Sequence, residues 1–125
     1  MIVRANNIDW ENLSSEIKPF VPAGQTFITA GKEYVACAIS VYQQIPFVLI
    51  VDDLETPVFM PSSLFDVIDS IIPNDWICSL QLGSEVDVVV GPEFIAKDLE
   101  TYTAMIDQET DQLDRFWQIY SLLGG

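Results

Sequence analysis

The chain of 125 residues contains no histidine, and only five of its residues are basic. The absence of histidine excludes the most common general base, the Ser-His-Asp and Cys-His arrangements, and the usual ligands of zinc, copper and haem. A glycine-rich phosphate-binding loop is also missing from the sequence. We therefore expect a protein that is not an enzyme and that has no catalytic residue, no cofactor and no bound metal.

Positive charge is absent from the whole of residues 33–93, and the formal net charge of the chain is −14. An acidic surface of this kind repels nucleic acid and anionic membranes, and it attracts basic proteins. We therefore predict a basic protein as the partner, and we expect binding to neither nucleic acid nor membrane. The ten acidic residues of this stretch are Glu33, Asp52, Asp53, Glu55, Asp66, Asp69, Asp75, Glu85, Asp87 and Glu93.

The sequence has only two cysteines, Cys37 and Cys78, and each lies in an apolar segment with an alternating pattern. Isolated cysteines in such segments are typical of small buried side chains in the reducing cytosol. A disulfide between them is the alternative, although two cysteines do not make the framework of a secreted domain. The first residues show no signal-peptide pattern, so we predict a cytoplasmic location.

Residues 34–51 form an uncharged run of 18 residues, which is close to the length of a membrane-spanning helix. The run contains Ser40, two glutamines and Pro46, and it divides into two pieces of strand length. It therefore predicts the core of a β-sheet rather than a membrane span.

Turn residues recur roughly every 8–12 residues over the middle of the chain, which is typical of a small antiparallel barrel or sandwich. After Pro92 the apolar residues change to a helical period. We predict a single domain over residues 1–125 that is mostly β with C-terminal helices (α+β). A small, partly open antiparallel β-barrel would cover about residues 26–90, and a helical hairpin about residues 92–123. The predicted strands are 33–41, 45–51, 57–60, 64–68, 76–80 and 86–90.

Seven residues are candidates for contact with a partner. Five are acids that cluster around two neighbouring predicted turns, and two are tyrosines on the small-residue face of the strand over 33–41 or just after it. The acids at 52–55 raise the alternative of a hard-cation site, but they lack the alternating spacing and the glycine of a Ca²⁺ loop, and we interpret them as a solvated turn. The candidates are Asp52, Asp53, Glu55, Asp66, Asp69, Tyr34 and Tyr42.

Two segments carry a resemblance to a known group of proteins. They are residues 31–42 (GKEYVACAISVY) and 59–69 (FMPSSLFDVID), with Trp76 soon after. Over residues 31–95 the chain resembles small bacterial proteins with an SH3-like barrel, some of which are similar to immunity proteins of toxin systems. The resemblance implies an SH3-like antiparallel barrel with the helical tail as an appended element. It includes no catalytic signature, and it transfers no functional residue to this chain.

The leading hypothesis is a non-catalytic acidic binding protein, an immunity-type inhibitor that captures a basic toxin or nuclease. Its acids would block the phosphate-binding surface of the target and accelerate association. The alternative is a structural or oligomeric accessory module in which the acidity serves solubility alone. An enzyme that uses carboxylates is the third hypothesis, and it requires a pocket containing a carboxylate with a raised pKa. The oligomeric state stays open at this point.

Overall fold

The computed structural model describes residues 1–6, 10–21, 27–80, 86–97, 102, 106 and 110–122 of the chain. In chain order the elements are β1 (Ile2–Ala5), two 3₁₀ helices (Trp10–Asn12 and Lys18–Phe20), β2 (Glu33–Val35), β3 (Ala38–Tyr42), β4 (Ile45–Val51), β5 (Pro57–Pro61), a third 3₁₀ helix (Ser62–Leu64), β6 (Phe65–Asp69), β7 (Ile77–Leu80), β8 (Val86–Gly91), α1 (Glu93–Ala96) and α2 (Thr110–Leu122).

The described strands form two antiparallel sheets, a three-stranded sheet in the order β2-β1-β6 and a five-stranded sheet in the order β5-β4-β3-β8-β7. The prediction of a mostly β protein with C-terminal helices is therefore confirmed. The described strand pairs do not close the two sheets into one barrel, so the SH3-like barrel stays a prediction. Parts of the predicted barrel, at 26 and 81–85, and of the predicted helical hairpin, at 98–101, 103–105, 107–109 and 123, lie outside the described residues.

The two faces of the five-stranded sheet are buried against different partners. On one face, Leu49 and Val89 pack with Ile95 of α1 and Phe116 of α2. On the other face, Val48 and Ile50 pack with Val3 of β1 and Phe65 of β6. Strand β4 supplies side chains to both clusters, which explains why its sequence is apolar at nearly every position and confirms that it is a central strand.

The strand predicted over residues 33–41 is wrong as a single element, because the chain changes sheets in the middle of it. The N–H of Ala36 donates to the carbonyl of Met1 (2.9 Å), whereas the N–H of Cys37 donates to the carbonyl of Leu49 (2.7 Å). Consecutive residues thus bond to different sheets, and β2 ends before β3 begins. The side chains of Ala36, Cys37 and Ala38 are all almost fully buried at this crossing, so only small side chains fit there.

The turn predicted at Gln43-Gln44 is confirmed as the tip of the β3–β4 hairpin. Both residues have positive φ, 49° and 68°, which is the backbone that a two-residue type I′ turn requires. Strands β3 and β4 then pair from Tyr42 opposite Ile45 to Ala38 opposite Leu49.

The two cysteines have different surroundings, and neither is in a disulfide. Cys37 is buried as predicted, and burial raises the pKa of its thiol to about 12. The prediction that Cys78 is buried is wrong, because it lies on β7 at the edge of the larger sheet and is exposed. An alternating pattern shows which residues share a face, but it does not show whether that face is covered.

Residues 34–51 form β2, β3 and β4, as the sheet-core interpretation predicts. In the part of the chain that the structure describes, no helix has the length and apolar character needed to cross a membrane.

Candidate functional site

The five candidate acids lie in two separate parts of the fold. Asp52, Asp53 and Glu55 lie in the loop between β4 and β5, whereas Asp66 and Asp69 lie on β6 of the smaller sheet. The two groups differ in how far their carboxylates are already bonded within the protein, and this difference decides which of them can bind a partner.

Asp52 holds the β4–β5 loop in shape. It is only 9% exposed, and its Oδ1 accepts hydrogen bonds from the N–H groups of Leu54 (2.9 Å) and Thr56 (3.0 Å). The backbone of Asp52 also bonds to that of Thr56 across the loop. A carboxylate that replaces backbone partners within its own turn has a structural role. We therefore do not retain Asp52 as a partner-binding residue.

Asp53 is the centre of a network that ties the loop to the segment before β2. Its Oδ1 accepts from Lys32 Nζ (2.7 Å) and from the Tyr34 hydroxyl (2.9 Å), and its Oδ2 accepts from the Thr29 hydroxyl (2.6 Å). The N–H of Thr29 in turn donates to the Tyr34 hydroxyl (2.8 Å). Both carboxylate oxygens of Asp53 thus have donors within the protein.

This network changes the acid–base properties of its members. The hydrogen bonds from Lys32 and Thr29 lower the pKa of Asp53 to about 2. The bond to Asp53 raises the pKa of Lys32, and burial raises the pKa of Tyr34. Asp53 therefore stays ionised at neutral pH, but its charge is compensated by the adjacent ammonium group, which weakens its attraction for an external cation.

Glu55 lies at the tip of the same loop, where it is exposed and has a positive φ of 59°. Its backbone N–H donates to the carbonyl of Asp52 (3.0 Å). Of the three acids in this loop, Glu55 is the one whose carboxylate has no hydrogen bond or ion pair to another described residue. It stays a candidate for partner contact.

Asp66 ends a row of charges across the outer face of the smaller sheet. Arg4 of β1 is opposite Glu33 of β2 on one side and opposite Asp66 of β6 on the other. Arg4 forms an ion pair with Glu33 (3.5 Å), and among the described residues Asp66 has no ion pair. The row therefore runs acid, base, acid and stops at β6, which is the edge strand of this sheet among the described strands.

Asp69 lies at the end of β6, opposite Ile2 of β1. Its Oδ1 accepts a hydrogen bond from the N–H of Ile71 (2.9 Å), which leaves its second carboxylate oxygen without a partner among the described residues. The ladder contains a bulge between the pairs that Ile2 and Val3 make, so β6 has one additional residue, Ile68. Asp66 and Asp69 thus belong to one exposed edge strand, with Ile68 between them.

The segment from residue 66 to residue 80, which we call the exposed segment, carries a set of apolar side chains that the sequence does not single out as surface residues. It contains six of the ten large hydrophobic residues that are exposed in the described part of the chain, so the apolar surface is concentrated here. It connects β6 to β7, each of which is an edge strand of its sheet. The six are Val67, Ile68, Ile71, Ile72, Ile77 and Leu80.

The exposure of these apolar side chains could not be predicted from the sequence, for a physical reason. The short apolar stretches of β6 and β7, bounded by turn residues, are of the kind that predicts strands with a buried face. Whether they are covered depends on the segments that pack against them, and in the described part of the chain each of these two strands pairs with a neighbour on one side only. An unusual density of isoleucine next to Asp69 and Asp75 was the only available signal in the sequence.

The two candidate tyrosines make their contacts within the protein. Tyr34 is 5% exposed, with its hydroxyl bonded to Asp53, so it is not accessible to a partner and we do not retain it. Tyr42 is half-buried and lies edge-on to the rings of Phe20 (6.0 Å between centroids) and Phe47 (6.4 Å). These contacts hold the 3₁₀ helix Lys18–Phe20 against the β3–β4 hairpin.

A cavity of about 400 Å³ opens beside that hairpin tip. Its wall includes one carboxylate, from Glu16, the ring of Phe20 and the amide side chains of the hairpin turn. None of the seven candidate residues lines it. A single exposed carboxylate among amides does not define a ligand, and we assign it no role.

The described residues contain no group of three or more Cys, Asp or Glu side chains arranged to hold a metal ion. Comparisons with models of protein families, with curated proteins and with solved structures gave no match to this chain.

Proposed function

We propose that this protein is a non-catalytic acidic binding protein that captures a basic protein. The observation that carries the proposal is the composition of the exposed segment, in which apolar side chains are exposed beside Asp66, Asp69 and Asp75 and no basic residue is present. Apolar surface favours a protein partner, and the uncompensated acids favour one with a positive surface. Glu55, in the β4–β5 loop, is a further exposed acid that has no ion pair among the described residues.

A basic toxin or nuclease in the cytoplasm is the class of partner that fits best. The phosphate-binding surface of a nuclease is positively charged, and a protein of net charge −14 would compete with nucleic acid for it. Immunity-type inhibition of this kind is also what the resemblance to small SH3-like barrel proteins implies. Long-range attraction would increase the association rate and make it sensitive to salt.

The proposal is tested by immobilising the chain, applying lysate of the source organism at low salt, and eluting with a salt gradient. We expect one basic protein to elute at moderate salt. The purified partner is then titrated by calorimetry against the double variant Asp66→Asn/Asp69→Asn, in which affinity should fall at least about tenfold, as expected for two partner-facing charges. Asparagine keeps the Oδ1 acceptor of residue 69, so the variant changes charge and little else.

The matched control is Glu11→Gln/Glu16→Gln, which removes the same amount of charge from two exposed acids outside the exposed segment. It should leave the affinity within about twofold, because charges far from an interface are screened. Equal losses in both double variants would show that the attraction is diffuse, and no loss in either would overturn the proposal.

An oligomeric accessory module is the second candidate, and β7 is the observation that favours it. This edge strand contains no charged residue, and Leu80 is 67% exposed. Pairing of β7 between two copies would bury this surface. Sedimentation equilibrium should then show a dimer whose stability increases with salt, since salt screens the repulsion between two acidic chains. Leu80→Lys should return the protein to a monomer, and a wild-type monomer at high salt would exclude this candidate.

A further inference from the structure

The backbone of β6 has N–H and C=O groups that lie in the plane of the sheet and face away from β1. The N–H of Asn6 donates to the carbonyl of Leu64 (2.9 Å), and Arg4 is opposite Asp66 two residues further along the ladder. Hydrogen-bonded and non-hydrogen-bonded pairs alternate in an antiparallel ladder. Residue 66 therefore bonds to β1, whereas the N–H and C=O groups of Val67 and the C=O group of Phe65 face the free edge.

Side chains at the same edge define what would bind there. Val67 is on the inner face, opposite Val3, but it is 54% exposed, and no strand of the described part of the chain pairs with β6 on that side. Asp66 is on the outer face, at the end of the row that begins with Glu33 and Arg4. A fourth strand would complete the row with a basic residue opposite Asp66, and it would cover Val67 with an apolar residue on the other face.

We propose that the basic partner binds by adding an extended segment to β6, which gives the order β2-β1-β6-partner. The segment is recognised by Lys or Arg on the outer face, by Val or Ile opposite Val67, and by up to three backbone hydrogen bonds to Phe65 and Val67. The bulge at Ile68 ends the regular ladder, so the added segment pairs with the first half of β6. This inference rests on the function proposed above and specifies how the same surface binds.

The probe is a fluorescein-labelled peptide of about seven residues with alternating Lys and Val, a length that covers the available edge. Fluorescence anisotropy at low salt measures its affinity. The matched control peptide has the same sequence with N-methyl groups on alternate residues, so it keeps every charge and loses the donors that face β6. We expect the N-methylated peptide to bind at least about tenfold more weakly, because two backbone hydrogen bonds are lost.

Two variants of the chain separate hydrogen bonding from charge. Val67→Pro removes the outward N–H without removing a bond to β1, a placement that edge strands tolerate, and it should weaken the peptide at least about tenfold. The control Val67→Thr keeps the N–H and the β-branched shape, and it should bind within about threefold of wild type. Thermal unfolding of both variants shows whether Pro at this position preserves the fold.

Asp66→Lys keeps the test decisive if Val67→Pro does not fold. It should weaken the Lys-Val peptide and strengthen binding of the corresponding Glu-Val peptide, since like charges opposite one another destabilise a strand pair. Amide hydrogen exchange measures backbone hydrogen bonding directly, because attraction between charges alone does not protect a single amide from exchange. In the free protein the amide of Val67 should exchange faster than that of Asp66, and the Lys-Val peptide should slow the exchange of Val67.

Strand addition is overturned if both peptides bind equally, or if the exchange of Val67 is unchanged at saturation with the Lys-Val peptide. In that case the function proposed above still stands, provided that the natural partner loses affinity with Asp66→Asn/Asp69→Asn. If the natural partner is insensitive to those acids, the proposed function fails, whatever the peptide does.

Discussion

Residues 33–53 and residues 66–80 contain the same kinds of side chain, apolar residues with a few acids and no base, yet they have opposite environments. In the first region the apolar residues form the core, and Asp52 and Asp53 are bonded within the protein. In the second region, isoleucines and aspartates are exposed together. Most of the first region, as β3 and β4, lies inside the larger sheet with a strand on each side, whereas the second region joins the edge strands β6 and β7. Position in a sheet, rather than composition, decides whether such a segment forms core or binding surface.

The largest expected difference between the two regions is the cost of shortening an isoleucine. Ile50 is fully buried between the two sheets, so Ile50→Ala should lower the free energy of unfolding by about 2–5 kcal/mol. Ile68 is 45% exposed at the bulge of β6, and Ile68→Ala should cost less than about 1 kcal/mol. Urea unfolding of both variants measures the difference. Similar costs would show that β6 is covered in solution.

Asp52 should be the most important acid for stability. Asp52→Ala leaves the N–H groups of Leu54 and Thr56 without their acceptor, and it should lower the free energy of unfolding by about 1–3 kcal/mol. Asp52→Asn keeps the Oδ1 acceptor and is the matched control, with a smaller loss expected. A loss as large in Asp52→Asn would assign the effect to the charge rather than to the hydrogen bonds.

Asp53 should make stability depend on pH in the acid range. Its pKa in the folded protein is about 2, below the value of about 3.9 expected in the unfolded chain. The ionised carboxylate therefore stabilises the fold above about pH 4, and this contribution is lost as the pH falls toward 2. The difference in urea midpoint between wild type and Asp53→Asn should be present at pH 6 and shrink below pH 4.

The effect of Asp53 should also be reduced by salt, because the ion pair with Lys32 lies at the surface, where solvent screens it. Repeating the measurement in high salt is the control. A difference in midpoint that does not change between pH 6 and pH 2.5 would contradict the assigned hydrogen-bond network.

Asp66 and Asp69 should have the smallest effect on stability and the largest on binding. Asp66→Asn/Asp69→Asn should change the free energy of unfolding by no more than about 0.5 kcal/mol, as is usual for exposed positions. The same variant should weaken capture of the basic partner. A loss of more than about 1 kcal/mol would mean that these acids hold the fold, like Asp52. This outcome would remove the contrast between the two regions.

Local features of the fold were predictable from the sequence. The uncharged run at 34–51 indicated sheet core, Gln43-Gln44 indicated a hairpin turn, and the change of period after Pro92 indicated helices. These features depend on residues close together in the chain. The crossing at Ala36 and Cys37 was not predictable, because the alternating pattern continues through it while the hydrogen-bond partners change from Met1 to Leu49.

The properties of the candidate site also divide into those that the sequence determines and those that depend on the tertiary structure. The sequence by itself determined the charge of this protein, the absence of histidine chemistry and the acids from which a binding surface can be made. Only the tertiary structure decided that Lys32, Thr29 and Tyr34 converge on Asp53, and that β6 pairs on one side only among the described strands. The physical reason is that charge and periodicity are properties of neighbouring residues. Whether a carboxylate is bonded or a strand edge is free depends on segments that are distant in the chain.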